Sequence, residues 1–170
     1  MEHLACFVGG MYAIASKYVN SELSITYLTR GKELTRTCVD SCLHTTTGLC
    51  PDKFNPSDFN SLKSSNVGYY LRPEILESLF YLYRLTGDSQ YQELGWKLIN
   101  SIHEHTRVES GGYSSVLNVN SIPATKNGFQ ESFFMAETLK YAYLLFSDVN
   151  FMSLDKWVYN TEAHPLKIIV

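Results

Sequence analysis

The chain has 170 residues, 45% of them hydrophobic and 18% charged, which is enough apolar material for one compact domain with its own core. Its formal net charge is −3 and the 14 basic residues are scattered, so neither a nucleic-acid surface nor a basic membrane-binding helix is expected. The apolar runs are shorter than the roughly 20 residues that cross a bilayer, and residues 1–20 carry no recognisable targeting signal.

Two helices are predicted in the first third of the chain. Residues 3–18 place apolar side chains on roughly one stripe, which Gly9-Gly10 interrupts and Asn20-Ser21-Glu22 ends. The members of this stripe are Leu4, Phe7, Met11, Tyr12 and Ala15. A second helix is predicted over 22–47. The polar segment 51–67 predicts a long loop, and loops of this length in compact domains are usually functional or next to a ligand.

Two further helices are predicted in the middle of the chain. One begins at Arg72, with Pro73 in the first helical position that its missing N–H suits, and ends near Leu85 before the turn at 86–88. Ser89 is then predicted to cap another helix through its side chain. The apolar periodicity of that helix comes from Tyr91, Leu94, Leu98 and Ile102.

The last third combines extended and helical patterns. Residues 111–118 break the helical period and predict a short extended segment. A helix is predicted over about 130–146. The tail 157–170 alternates around a turn at 160–165, which predicts a terminal hairpin. The predicted fold class is therefore all-α, with antiparallel helical hairpins side by side and small β-hairpins between them. A solenoid and a closed α/α toroid both remain open at this point.

The opening turn of the third helix combines a cation with two carboxylates. Glu74 and Glu77 share one helical face next to Arg72, near the positive end of the helix dipole. Carboxylates beside a guanidinium, followed by aromatic rings, suit a pocket that binds or cleaves sugars. The alternative is a helix start with favourable charges and no further role.

Three other places carry candidate chemistry. Phe133 and Glu137 are four residues apart, so a ring and an acceptor share a helical face, although a core ring and a Glu137–Lys140 pair would give the same spacing. The hairpin tip with Thr161 and Glu162 offers hard oxygen donors of the kind that calcium accepts, or only a turn. His3 is either an oriented imidazole or an incidental one.

The cysteines do not follow a zinc pattern. Only Cys38 and Cys42 are close in sequence, and no histidine pair accompanies them. In an oxidising compartment, one bridge from Cys6 to any of the three later cysteines would tie the first helix to the second, and four buried thiols are the alternative.

Together these segments resemble the class I α-1,2-mannosidases of glycoside hydrolase family 47. The similar stretches run in the family's order over nearly the whole chain. They include 3–11, 36–38, 70–80, 84–88, 111–113, 132–141, 144–148, 154–157 and 160–166. The resemblance implies a partial (α/α) barrel, with residues 1–170 forming the C-terminal part of one catalytic domain.

The resemblance also implies a calcium-dependent inverting hydrolysis of terminal α-1,2-linked mannose in N-glycans. Glu74 corresponds to the carboxylate usually assigned as general base, and Thr161 would bind Ca²⁺ through its hydroxyl and carbonyl oxygens. The expected mannose contacts are His3, Arg72, Glu77, Phe133, Glu137 and Glu162. The resemblance pairs Cys6 with Cys38 and assigns no role to Cys42 and Cys50, which leaves free thiols as one possibility for these two.

The resemblance also implies absences. Met1 corresponds to a point well inside the family's catalytic domain, so the general acid and any N-terminal membrane anchor have no counterpart here. Without the general acid, the 170 residues alone are expected to be nearly inactive. Without the neighbouring helices, they are expected to self-associate. The expected compartment is the lumen of the Golgi or the endoplasmic reticulum. A non-catalytic protein that binds calcium and mannose, and a helical interaction module, are the alternative functions.

Overall fold

The computed structural model describes residues 1–169; Val170, at the end of the predicted terminal hairpin, lies outside the described residues. Residues 1–169 contain five α-helices and one antiparallel pair of strands. The bounds are α1 Phe7–Ala15, α2 Ser21–Leu43, α3 Glu74–Thr86, α4 Gln90–Thr106, α5 Leu139–Phe146, β1 Trp157–Tyr159 and β2 Pro165–Lys167. Short 3₁₀ segments cover His3–Cys6 and Phe59–Ser64, and a π turn covers Phe134–Thr138. The predicted all-α class with a C-terminal hairpin is confirmed.

Helix α3 is the centre of the molecule. It packs against α1, α2, α4 and α5, and its buried residues lie on all sides of the helix. The core side chains that it contributes include Ile75, Leu79, Phe80 and Leu82. The helix ends as predicted, because Gly87 adopts a left-handed φ of 70° and donates its N–H to Tyr83 O at 2.8 Å.

Helix α1 is shorter than the predicted 3–18. His3–Cys6 is a 3₁₀ segment, and the chain leaves α1 after Ala15 through i→i+3 bonds, such as Lys17 N–H to Ile14 O at 3.1 Å. The glycine pair does not interrupt the helix but lets it approach α3, since a Cβ on Gly10 would lie 2.8 Å from Tyr81 Cδ2.

Helix α2 begins as expected and ends early. The Asn20 side chain accepts a bond from Leu23 N–H at 3.1 Å and caps the first turn. The helix was predicted to reach residue 47 but stops at Leu43. The single proton of the Thr45 hydroxyl lies between Cys42 O and Leu49 O, each 2.9 Å from Oγ1, and Gly48 has a left-handed φ of 73°, so the chain turns here.

The predicted cap of α4 is wrong. Ser89 makes no side-chain cap bond, and the carboxylate of Asp88 accepts from Gln90 N–H at 3.0 Å instead. The acceptor of this bond therefore belongs to the residue before Ser89, and α4 begins at Gln90.

The extended segment 111–118 pairs with three neighbours, and its Tyr113 forms an isolated bridge with Arg107. Val116 exchanges backbone bonds with Tyr69 at 2.9 and 3.0 Å, and also forms an isolated bridge with Lys126. The helix predicted over 130–146 is divided into the π turn and α5. Within residues 1–169, no helix has the length and hydropathy needed to span a membrane.

Two disulfides link α2 to the segments before and after it. Cys6 bonds to Cys38, so the 3₁₀ segment is linked to α2. Cys42 and Cys50, to which the resemblance assigns no role, are not free thiols: they bond to each other, because the turn after α2 folds the chain back and brings their Cα atoms to 4.1 Å. No free cysteine is present in residues 1–169.

Candidate active site

A cavity of about 470 Å³ lies between α1, the start of α3, the π turn and the C-terminal hairpin. Its polar wall comes from Glu74, Glu77, Glu137, Asn160 and Thr161. The apolar wall is formed by Leu4, Phe7, Met11, Ile14, Tyr81 and Tyr159. The hairpin tip and the paired carboxylates of α3 therefore face one space that has the size of a monosaccharide or disaccharide.

A strained backbone positions the carboxylates. Leu71 has a left-handed φ of 60°, which is unusual for a branched side chain, and its carbonyl accepts the Thr138 hydroxyl at 2.6 Å. Pro73 follows, and its C=O accepts from Glu77 N–H at 2.9 Å to start α3. The strain thus lies immediately before Arg72 and Glu74.

Glu74 is buried beside one cation. Its Oε1 lies 3.8 Å from Arg72 Nη1 and its Oε2 lies 3.7 Å from His3 Nε2, and Oε2 has no hydrogen-bond partner among the described residues. Burial raises the pKa of Glu74 to about 6, against the opposing pull of Arg72. The carboxyl is therefore mostly ionised at neutral pH, and its buried Oε2 faces the His3 ring.

His3 contacts Glu74 as a neutral ring. Burial, followed by the charge of Arg72, lowers the pKa of His3 to about 3, so its 3.7 Å approach to Glu74 is not an ion pair at neutral pH. The ring is stacked on Tyr69 with centroids 6.0 Å apart. Neither ring nitrogen has a hydrogen-bond partner in residues 1–169.

Glu77 holds its proton more tightly than Glu74. The Tyr141 hydroxyl donates to Glu77 Oε1 at 3.3 Å, but burial dominates and raises the pKa of Glu77 to about 8. Burial also raises the pKa of Tyr81 and of Tyr141. At neutral pH the two carboxyls of α3 are therefore in different protonation states.

The π turn and the hairpin form the other side of the cavity. Glu137 lies in the π turn, and burial followed by the charge of Glu162 raises its pKa. Lys140 Nζ donates to Ala163 O at 2.8 Å and fastens the hairpin to α5, while Ala163 is buried with a left-handed φ of 57°. Thr161 is thereby held at the cavity.

The predicted site residues fall into two groups. Glu74, Glu77, Glu137 and Thr161 line the cavity. The remaining four, His3, Arg72, Phe133 and Glu162, lie behind or beside these residues. Arg72 is 5.9 Å from the centre of the Phe133 ring and also contacts Glu74, so it joins the predicted aromatic contact to the predicted base.

The sequence did not reveal two parts of the site. Asp52 accepts from Arg72 Nε at 2.9 Å, and no local pattern relates these distant residues. The apolar stripe at the start of the chain was predicted, but its role was not. Leu4, Phe7 and Met11 line the cavity and remain exposed. Hydrophobic periodicity predicts an apolar helix face but does not show whether that face packs in the core or lines a cavity.

No group of three or more His, Cys, Asp or Glu side chains in residues 1–169 is arranged to hold a metal ion. Thr161, whose side chain and backbone offer hydroxyl and carbonyl oxygens, lines a cavity whose wall also carries the carboxyls of Glu74, Glu77 and Glu137. All of these possible ligands are oxygens and some are anionic, which suits a hard cation such as Ca²⁺. Thr161 would be its one direct protein ligand, and water and sugar hydroxyls would complete the coordination.

Comparison with known proteins agrees with this geometry. The family model described as Glycosyl hydrolase family 47 matches residues 1–168. The chain is 43% identical over 171 residues to the mannosyl-oligosaccharide alpha-1,2-mannosidase IA of Spodoptera frugiperda, covering 99% of this chain and 25% of the relative. It is 42% identical over 172 residues to the mannosyl-oligosaccharide 1,2-alpha-mannosidase IB of Homo sapiens, covering 99% and 27%.

A solved structure shows the same fold. The alpha-1,2-mannosidase from Trichoderma reesei, an (α/α) barrel, superposes with a TM-score of 0.86 and 32% sequence identity over 99% of this chain and 39% of that one. The chain spans about a quarter of the length of the curated relatives named here. Sequence and structure agree over residues 1–168, and the chain belongs to glycosyl hydrolase family 47.

Proposed function

We propose that this chain supplies the mannose-binding and base-bearing part of a calcium-dependent α-1,2-mannosidase that trims N-glycans. The observation that carries the proposal is the shared cavity of Glu74, Glu77, Glu137 and Thr161. The relatives whose names specify mannosyl-oligosaccharide α-1,2-mannosidases support the substrate class.

Glu74 is the general base in this proposal. With a pKa of about 6 it is ionised at neutral pH, and because it lines the cavity it can accept a proton from a water bound there. Inversion at the anomeric carbon requires such a base on one face of the sugar and an acid on the other. Because the cavity carboxyls of residues 1–170 are assigned to the base and to sugar contacts, these residues alone are expected to bind the sugar and to hydrolyse it very slowly.

Glu77 and Glu137 bind hydroxyls of the sugar. A carboxyl with a pKa of about 8, such as Glu77, carries a proton at neutral pH and offers both a donor and an acceptor. The apolar wall formed by Leu4, Phe7 and Tyr81 covers the less polar face of the ring. A sugar with axial and equatorial hydroxyls needs this combination of polar and apolar walls.

Thr161 would hold Ca²⁺, with water and sugar hydroxyls completing the coordination. When bound, the ion supplies an electrostatic anchor for sugar hydroxyls. The protein's own contribution is to fix the hairpin, which Lys140 does through Ala163 O. The two disulfides support a place in the oxidising secretory pathway, in the lumen of the Golgi or the endoplasmic reticulum.

Calorimetry on the 170-residue chain tests the binding part of this proposal. We expect heat from CaCl₂, and further heat from a mannose-configured iminosugar that is larger with calcium than without. Thr161→Val removes the hydroxyl and should weaken calcium binding by about 10-fold or more. Thr29→Val, at an exposed position on α2 away from the cavity, is the matched control and should bind as the unmodified chain does.

Two results would overturn the proposal. A folded chain that gives no heat with either ligand has no such site. Equal calcium affinity in the Thr161→Val and Thr29→Val variants would remove Thr161 from the metal site.

A further inference from the structure

We propose, building on the proposed function, that Asp52 is a positioning residue that holds the Arg72 guanidinium beside Glu74. Asp52 lies in the long loop 51–67, outside the cavity wall, and its side chain reaches the candidate base only through Arg72. The loop predicted to be functional would thus act by orienting another side chain.

The guanidinium of Arg72 is held from three directions. Its Nε donates to Asp52 Oδ1 at 2.9 Å, its Nη1 lies 3.8 Å from Glu74 Oε1, and its Cζ lies 5.9 Å from the centre of the Phe133 ring. Only the contact with Asp52 has the length of a charge-assisted hydrogen bond. The Arg72 side chain is 28% exposed, so without that bond it has room to turn towards solvent.

The backbone of Asp52 is itself fixed. Its N–H donates to Gly68 O at 2.9 Å, and its C=O accepts from His3 N–H at the same distance. One residue therefore connects to both neighbours of the Glu74 carboxylate, to His3 through the main chain and to Arg72 through the side chain. The Cys42–Cys50 disulfide ties the chain to α2 just before Asp52.

The charges around Glu74 explain why the orientation matters. Arg72 is the cation that lowers the pKa of Glu74, whereas the charges of Glu137 and Asp52 raise it, and His3 is neutral. A guanidinium that swings away would leave the buried Glu74 carboxylate without its cation. Asp52 prevents this by occupying Nε and directing Nη1 towards Glu74.

The first test does not depend on sugar binding. In the ¹⁵N spectrum of the 170-residue chain, the Nε–Hε signal of Arg72, assigned with Arg72→Met, should be protected from exchange with solvent. Asp52→Ala should abolish this protection, and Asp58→Ala, at an exposed aspartate of the same loop, should leave it unchanged. Equal protection in the Asp52→Ala variant would overturn the proposal.

The second test asks whether Asp52 acts through Arg72. Asp52→Ala should weaken iminosugar binding by about 10-fold, and should have no further effect in an Arg72→Met background. Additive losses would show that Asp52 acts independently and would overturn the proposal. If the unmodified chain binds no iminosugar, the proposed function fails, and the exchange experiment still decides the role of Asp52.

Discussion

The carboxyl of Glu77 makes the stability of the chain depend on pH. Its pKa is about 8 in the folded chain and about 4.5 in the unfolded chain, so between these values the folded state retains a proton that the unfolded state has lost. The contribution of Glu77 to stability is complete below pH 4.5 and is lost as the pH rises towards 8. A neutral side chain at this position should remove that loss.

We therefore expect Glu77→Gln to reduce the difference in melting temperature between pH 5 and pH 8. Scanning calorimetry at both values, without calcium, measures the effect. Glu104→Gln, at an exposed position on α4, is the control and should keep the pH dependence of the unmodified chain. The same pH dependence in the Glu77→Gln variant would show that the carboxyl titrates normally.

Arg84 connects α3 to the segment after α5. Its guanidinium donates to the carbonyls of Leu144, Val149 and Phe151 at 2.8–3.0 Å and lies over the Phe80 ring at 5.2 Å. Arg84→Met keeps most of the apolar contact with Phe80 and loses the three hydrogen bonds to the carbonyls. It should lower the free energy of unfolding by roughly 2–4 kcal/mol.

Urea denaturation measures this loss. Arg107→Met, at an exposed arginine after α4, should change the free energy of unfolding by less than about 0.5 kcal/mol. An equally small change for Arg84→Met would mean that the carbonyls find other partners without cost.

The two disulfides should differ in their effect on stability. Cys6–Cys38 closes a separation of 32 residues and Cys42–Cys50 closes one of 8. Chain entropy gives roughly 3.7 and 2.5 kcal/mol for loops of these lengths. Replacing Cys6 and Cys38 by alanine should therefore destabilise the chain by about 1 kcal/mol more than replacing Cys42 and Cys50, as urea denaturation would show. The reverse order would contradict the entropic account.

Helices defined by local signals were predictable from the sequence. The end of α3 at Gly87 and the terminal hairpin follow from residues that act on their own neighbours. The early end of α2 and the Cys42–Cys50 bridge arise within residues 42–50, but they depend on the geometry of one turn that hydrophobic periodicity does not reveal. The left-handed Leu71 was not predictable because its carbonyl bonds to Thr138, which is distant in sequence. The candidate site residues were predicted from local patterns and from family resemblance, whereas the Asp52–Arg72 contact needed the fold.

One surface of the molecule exposes an aromatic face made of Trp96, Leu139, Tyr143, Phe146 and Phe151. Tyr143 is 64% and Trp96 56% exposed, and Trp96 contacts Phe146 with ring centroids 5.8 Å apart. Contiguous apolar surface of this kind promotes association. We expect the purified 170-residue chain to self-associate in a concentration-dependent manner.

Sedimentation velocity tests this expectation. Replacing Tyr143 by lysine should weaken association. Tyr18→Lys, at a position with the same 64% exposure outside the aromatic face, should have a smaller effect. A monodisperse monomer at all concentrations would contradict the prediction.

The most direct test of the central claim is hydrolysis by a chimera in which this chain replaces the matching segment of the human mannosidase IB, to which it is 42% identical. The chimera should release mannose from an α-1,2-linked disaccharide. Glu74→Gln should lower the rate by roughly 100-fold or more while folding and iminosugar binding persist. A folded, iminosugar-binding chimera whose rate is unchanged by Glu74→Gln would contradict the assignment of Glu74 as the base.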